Sequence, residues 1–238
     1  MRLSGLILAS ALAGCAHAFP MQGNDAAVAR DIAAGRQRIE AFFGETFRTP
    51  VNVLVAPDRA AFDRALPPAW GIAPSQCWMV GVGVADSLYL LSPSAWAHDA
   101  CDHSGDAAEV QGVITHELTH AFHGQHNPTR DFTGMDDAGW FVEGLAVVVS
   151  GQLDASHAGD ARAAIAANAA PTALASAWSG RYRYGVCGSM VRYIEVTYGR
   201  RTLIALLNAT DNQQILGRLH LREGEFLSLW REWAGAQR

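Results

Sequence analysis

Apolar and polar positions run along this chain with two periods, close to 3.6 and close to 2, and the changes between them mark its elements. Residues 24–43 carry Ala27, Val28, Ile32, Ile39, Phe42 and Phe43 near helical spacing, with Arg and Asp between them, and predict an amphipathic helix. Pro50 then opens Val51-Asn52-Val53-Leu54-Val55, a short apolar run that predicts a buried strand. Asp58 is suited to cap a helix from Arg59 to Leu66, which Pro67-Pro68 stops. Residues 77–91 predict a hairpin with arms Cys77 to Val84 and Ser87 to Leu91 and a turn near Ala85-Asp86. Gly81 and Gly83 weaken side-chain packing in the first arm, yet they permit another backbone to come close.

Residues 92–105 are polar and predict a loop. The next helix runs from about Asp106 to His123, with Val110, Val113, Ile114 and Leu118 on or near its buried side. Gly124 to Gly139 is a polar connection containing Asn127-Pro128, and a strongly apolar helix follows over Trp140 to Ser150. Further helices are expected over 160–169, 185–198, 200–208 and 223–234. No internal repeat and no long linker interrupts the pattern. The chain divides into an N-terminal α+β part over 19–123 and a mostly helical part over 124–238.

The first eighteen residues read as an export signal. Met1-Arg2 is a minimal positive start, and Leu3 to Leu12 is an apolar run too short for a permanent membrane span. Leu12-Ala13-Gly14-Cys15 resembles a bacterial lipobox, in which Cys15 takes a lipid and becomes the mature N-terminus. Ala16-His17-Ala18 offers ordinary signal peptidase a rival site three residues on. Either route places the protein in the periplasm, on the outer membrane through lipid on Cys15, or secreted. In an oxidising compartment Cys77, Cys101 and Cys187 favour one bridge and one free thiol, and Cys77–Cys101 is the expected pair.

Composition narrows the function further. The chain has 238 residues, of which 50% are apolar and 17% charged, which supports a real core. Its formal charge is −5, with no lysine. No basic field exists to attract nucleic acid, so no nucleic-acid partner is expected.

The chemistry concentrates in His116-Glu117-Leu118-Thr119-His120, an HExxH pattern inside the 106–123 helix. Helical positions i and i+4 share a face, about 6 Å apart at their Cβ atoms, so both imidazoles can reach one ion. Glu117 stands one step round the helix, beside the ion, where it can take a proton from metal-bound water and deliver it to a leaving group. Zinc suits the task as a Lewis acid without redox chemistry.

Such an ion needs a third protein ligand and an open fourth position. One candidate is Glu143 in Trp140-Phe141-Val142-Glu143-Gly144-Leu145-Ala146, the lone acid in an apolar helix, whose burial a metal would relieve. The small Gly144 and Ala146 would let that helix approach the HExxH helix. The other candidate is His126, near the third-histidine position of HExxHxxGxxH; there the required glycine is replaced by His123 and Gly124 comes one place late. Read without a metal, His123 and His126 are a polar helix end where imidazolium suits the helix dipole.

HELTH followed by WFVEGLA resembles the gluzincins, zinc metallopeptidases of the peptidase-MA-like group distantly related to aminopeptidase N. The similarity runs over about residues 50–235, including VNVLVAPDRAAFDRAL, LYLLSP and YRYGVCGSMVRYIEVTYG. It implies an α+β, zincin-like fold: a small mixed sheet whose edge strand lies over the active-site helix, then a mostly helical C-terminal part. That edge strand would be 77–84 or 87–91. The resemblance implies His116, His120 and Glu143 as zinc ligands, Glu117 as general base, and Tyr184 or Tyr182 as the oxyanion-stabilising phenol. It implies a peptide or protein substrate. No motif for a substrate amino terminus is evident, so an endopeptidase-like activity is expected. Val147, one turn after Glu143, offers no acid to orient the histidines, and Asp106, Glu109, Asp136 and Asp137 are the candidates for that task. Two other readings are compatible with the sequence, namely a non-catalytic envelope protein on the same scaffold and a zinc hydrolase of a non-peptide amide.

Overall fold

The computed structural model describes residues 18–23 and 25–237. Cys15 and the export signal, except for Ala18, lie outside the described residues. Strand β1 (Met21–Gln22) leads to α1 (Ala26–Phe43), capped by the Asp25 carboxylate, which accepts from Ala27 N–H and Val28 N–H. β2 (Asn52–Ala56) and α2 (Arg59–Ala65) follow, with Asp58 capping α2 as expected. β3 (Gly81–Val84) and β4 (Ser87–Leu91) form the hairpin, and α3 (Trp96–Asp99) is a single turn. α4 (Ala107–His126) carries the HExxH segment and begins at an Asp106 cap. The rest is helical: α5 (Gly139–Ser150), α6 (Gln152–Ser156), α7 (Asp160–Ala166), α8 (Arg183–Tyr198), α9 (Arg200–Ala205), α10 (Asn212–Leu219) and α11 (Glu223–Ala236).

The protein is thus mixed α+β, mainly helical, with one small mixed sheet in the order β1-β2-β4-β3. β1, β2 and β4 are parallel, and β3 pairs antiparallel with β4 at the edge. The edge strand is therefore within 77–84, and 87–91 is internal.

Several boundaries depart from the sequence pattern. The first hairpin arm begins at Gly81 rather than Cys77. Residues 77–79 instead form an irregular segment tied by the Cys77–Cys101 disulfide and by Arg59, whose guanidinium donates to the Cys77 carbonyl at 2.9 Å and to the Met79 carbonyl. The HExxH helix runs one turn past His123, to His126, because residues 121–126 are buried and stay helical. The 160–169 and 200–208 helices end at Ala166 and Ala205, the latter continuing as a 3₁₀ turn to Asn208. β1, α3 and α6 carry too few residues to register as periodic runs, whereas α10, with its Asp211 cap and with Ile215 and Leu219 on one face, is a periodic run that the sequence reading missed.

α5 sits at the centre because it is apolar all round. Trp140, Phe141, Val142 and Gly144–Val149 are all buried. A Cβ on Gly144 would lie 2.4 Å from the Cys187 carbonyl, so this small residue brings α5 against α8, not against α4 as the sequence suggested. Among the described glycines, the tightest approach joins sheet and helix. A Cβ on Gly83 would lie 1.9 Å from the carbonyl oxygen of Glu117, so β3 rests directly on the backbone of α4.

Two glycines with opposite surroundings test this packing. Gly83→Ala should cost at least about 3 kcal/mol, since neither backbone can yield. Gly217→Ala, in α10 with open space around it, should gain up to about 1 kcal/mol from helix propensity. Urea unfolding of the two variants checks both signs.

Candidate metal centre

α4 presents His116 and His120 one turn apart on its buried side, 6% and 8% exposed. α5 crosses beside them and delivers Glu143. Its Oε2 lies 3.3 Å from His116 Nε2 and 3.6 Å from His120 Nε2, and the three ligand atoms all fall within 4.8 Å of one another. Ligands held at about 2.0–2.1 Å around one tetrahedral ion stand about 3.3 Å apart. The two imidazole nitrogens and the carboxylate oxygen thus have the spacing and chemistry to hold a metal ion.

Burial pushes the Glu143 carboxyl up, but the His120 and His116 imidazoles outweigh it and hold the group well below the usual carboxylate range. Burial pulls His116 down, and its hydrogen bond to Glu143 and the charges of Glu117 and Glu143 outweigh that and raise it. The two shifts are mutual: a carboxylate on an apolar helix draws positive charge onto its neighbours. A cation competes with the proton for the same lone pairs.

His116 Nδ1 is 2.8 Å from Gln152 Oε1. With Nδ1–H donating there, the Nε2 lone pair is free to face an ion. Ser150 Oγ donates to the same Gln152 oxygen at 3.1 Å. Gln152 opens α6 just after Gly151, whose positive φ of 87° ends α5. The four acids proposed for this role do other work or none at the site. Asp106 caps α4, and Glu109 accepts from the Ser104 and Gly105 N–H groups at 2.7 and 2.9 Å. Asp137 accepts from Asn212 N–H at 3.2 Å, and Asp136 is exposed. No local signal in the sequence points to Gln152, which packs against Gly112 at ordinary van der Waals distance one turn before His116.

His126 turns away from the site. Its Nδ1 bonds the Phe122 carbonyl at 2.8 Å and its Nε2 lies 3.2 Å from Glu45 Oε2. His123 is fully buried against Phe132 and Phe141, with Nε2 donating to the Leu207 carbonyl at 3.1 Å. Burial first, then the neighbouring His120 and His126, push it down to about 3. His123 is therefore not part of a solvated, charged helix end but a neutral core residue.

Glu117 lies beside the three ligands and is fixed by the edge strand. Its Oε2 accepts from Gly83 N–H at 2.8 Å. Leu91 N–H bonds the Val80 carbonyl at 2.9 Å, so in the antiparallel ladder Val82 and Val84 also face β4. Gly81 and Gly83 consequently turn their backbone N–H and C=O to the free edge.

Tyr184, in the first turn of α8, lies 6.3 Å from His116 between ring centroids and stacks on His157, itself held by Asp160 at 2.9 Å. Burial, then the Glu143 charge, push its phenol up. Tyr182 packs elsewhere, beneath the Arg181 guanidinium in a cleft with Pro171 and Ala177.

Comparison with protein-family models, with curated proteins and with solved structures finds no match.

The His123 environment makes stability depend on pH. An imidazole whose folded pKa lies below its unfolded value of about 6.5 contributes fully above that pH and loses its contribution as pH falls toward 3. Between pH 6 and 4 this group alone should remove about 1.4 kcal/mol per pH unit. Urea unfolding of the chelator-treated protein should show that slope reduced by about this amount in His123→Gln.

Proposed function

We propose that the protein is an exported, zinc-dependent peptidase of gluzincin type on a zincin-like fold, cleaving within peptide chains. The observation that carries this reading is the convergence of His116, His120 and Glu143 beside a Glu117 whose carboxylate is anchored to the sheet edge. Two nitrogen donors and one oxygen donor, all within 4.8 Å of one another, suit zinc. Neither His123 nor His126 is turned to serve as a fourth ligand, which favours a catalytic over a purely structural ion.

When bound, zinc supplies Lewis acidity, polarising a carbonyl and bringing a water it holds to a pKa near 7. Glu117 takes the proton of the attacking water on its carboxylate and hands it to the departing amide nitrogen. The Gly83 N–H holds that carboxylate in place. Tyr184, kept protonated by its surroundings, donates to the oxygen on which negative charge develops. Gly81 offers its N–H and C=O on the free edge to an extended substrate. The Cys77–Cys101 bridge favours an oxidising compartment, in keeping with export and with a lipid anchor on Cys15.

Elemental analysis of the purified protein should find one zinc per chain, lost in Glu143→Ala. Glu117→Gln should keep the metal and lower hydrolysis of a peptide library by about 10²–10⁴-fold. Gln152→Ala should weaken zinc binding by about 10–100-fold in a competitive chelator titration. Stoichiometric zinc with undiminished activity in Glu117→Gln would overturn the mechanism.

A further inference from the structure

Arg183 is a cation without a counter-charge at the rim of this site. It begins α8, next to Tyr184. Its guanidinium carbon lies 5.6 Å from the Trp78 ring, 5.2 Å from Trp178 and 5.1 Å from Tyr184. Three aromatic faces thus hold one guanidinium in place. Its Nε is buried with no hydrogen-bond partner. Among the described residues no carboxylate lies within 4 Å of it, although Arg36, Arg130, Arg192 and Arg200 each have an acidic partner.

The guanidinium also meets the Tyr184 hydroxyl, and among the described residues the rest of its donor edge has no carboxylate within 4 Å. That edge matches a carboxylate in a two-point, planar fashion that no ring can satisfy. A half-buried charge gains from a carboxylate in direct contact, and among the described residues none is in contact with it. Trp78, 36% exposed, leaves the cluster open to solvent.

The position relative to β3 suggests which part of a substrate arrives there. Trp78 precedes the edge strand, whose Gly81 and Gly83 lie against Glu117. A peptide added antiparallel to β3, the commoner pairing, runs from Val84 toward Gly81 and leaves the site toward Trp78. Its C-terminal side therefore reaches Arg183.

We propose that Arg183 is a specificity-determining residue that binds a substrate carboxylate on the C-terminal side of the cleaved bond. The carboxylate is the chain terminus itself or an acidic side chain near it. This inference rests on the peptidase reading for its meaning but not for its measurement, because Trp78 and Trp178 report binding directly.

The test uses tryptophan fluorescence of the full chain, with and without zinc. Three probes are titrated: N-acetyl-tetra-alanine as the free acid, the same peptide as its C-terminal amide, and N-acetyl-Ala-Ala-Glu-Ala amide. The free acid should bind at least tenfold more tightly than the alanine amide, and Arg183→Met, which keeps an apolar stem of similar length and removes the guanidinium, should abolish the difference. Equal Arg183-dependent binding of the glutamate peptide assigns the site to a side chain as well as to a terminus; weak binding assigns it to the terminus alone. The inference is overturned if acid and amide bind alike, if Arg183→Met retains the discrimination, or if no probe binds. Carboxylate discrimination in a protein that hydrolyses nothing when zinc-loaded would sink the peptidase reading and leave this site standing.

Discussion

A carboxylate on the most apolar helix of a protein has to find positive charge, and the architecture around the site follows from that requirement. Glu143 sits in α5 among Phe141, Val142, Leu145 and Ala146, all buried. Left alone there, with its side chain 24% exposed, it would have lost much of its hydration without a compensating charge. Two imidazoles from α4 answer it at 3.3 and 3.6 Å. The crossing of α4 over α5 is therefore an electrostatic arrangement as well as a packing one. The close contact of α5 with α8 at Gly144, the next residue round the helix, fixes the backbone beside Glu143, so that Glu143 has little freedom to withdraw.

The supporting interactions are of different kinds, and each fixes one degree of freedom. Gln152 sets the tautomer and rotation of His116 through one hydrogen bond. Phe132, an aromatic residue at a positive φ of 60°, packs its ring against His120 and His123. A bulky residue in that conformation is strained and persists only where its surroundings compel it. The Gly83 N–H fixes Glu117 without any side chain. Three of the four central residues are thus positioned by an amide side chain, an aromatic ring and a backbone donor, none of them acidic.

This explains what the sequence disclosed and what it did not. The HExxH spacing needs only one helix, so His116, Glu117 and His120 were legible, and the isolation of Glu143 among apolar neighbours made it stand out. Gly81 and Gly83 announced a close backbone approach, which α4 supplies. The partner of Gly144 was misread because a small residue signals that something comes close without saying from which side. The acids expected to orient the histidines were sought by charge, whereas the structure uses a neutral amide reached across a helix break. His126 looked like a ligand by spacing alone, and the extra helical turn carries it round to Glu45. The short elements β1, α3 and α6 owe their existence to tertiary contacts, which no local period records, whereas α10 carried a local cap and period that went unread.

The contact of β3 with α4 also limits how this hairpin can vary. Side chains alternate along a strand, so shifting β3 by one residue would put Val82 or Val84 where only hydrogen fits above Glu117. The same slip would turn the Gly83 N–H toward β4 and leave the Glu117 carboxylate without its anchor. Lengthening or shortening the Ala85-Asp86 turn by a single residue is thus equivalent to disarming the site. Of the two-residue slips, only the one that carries Gly81 into the place of Gly83 keeps a glycine above Glu117; the other brings in Ala85.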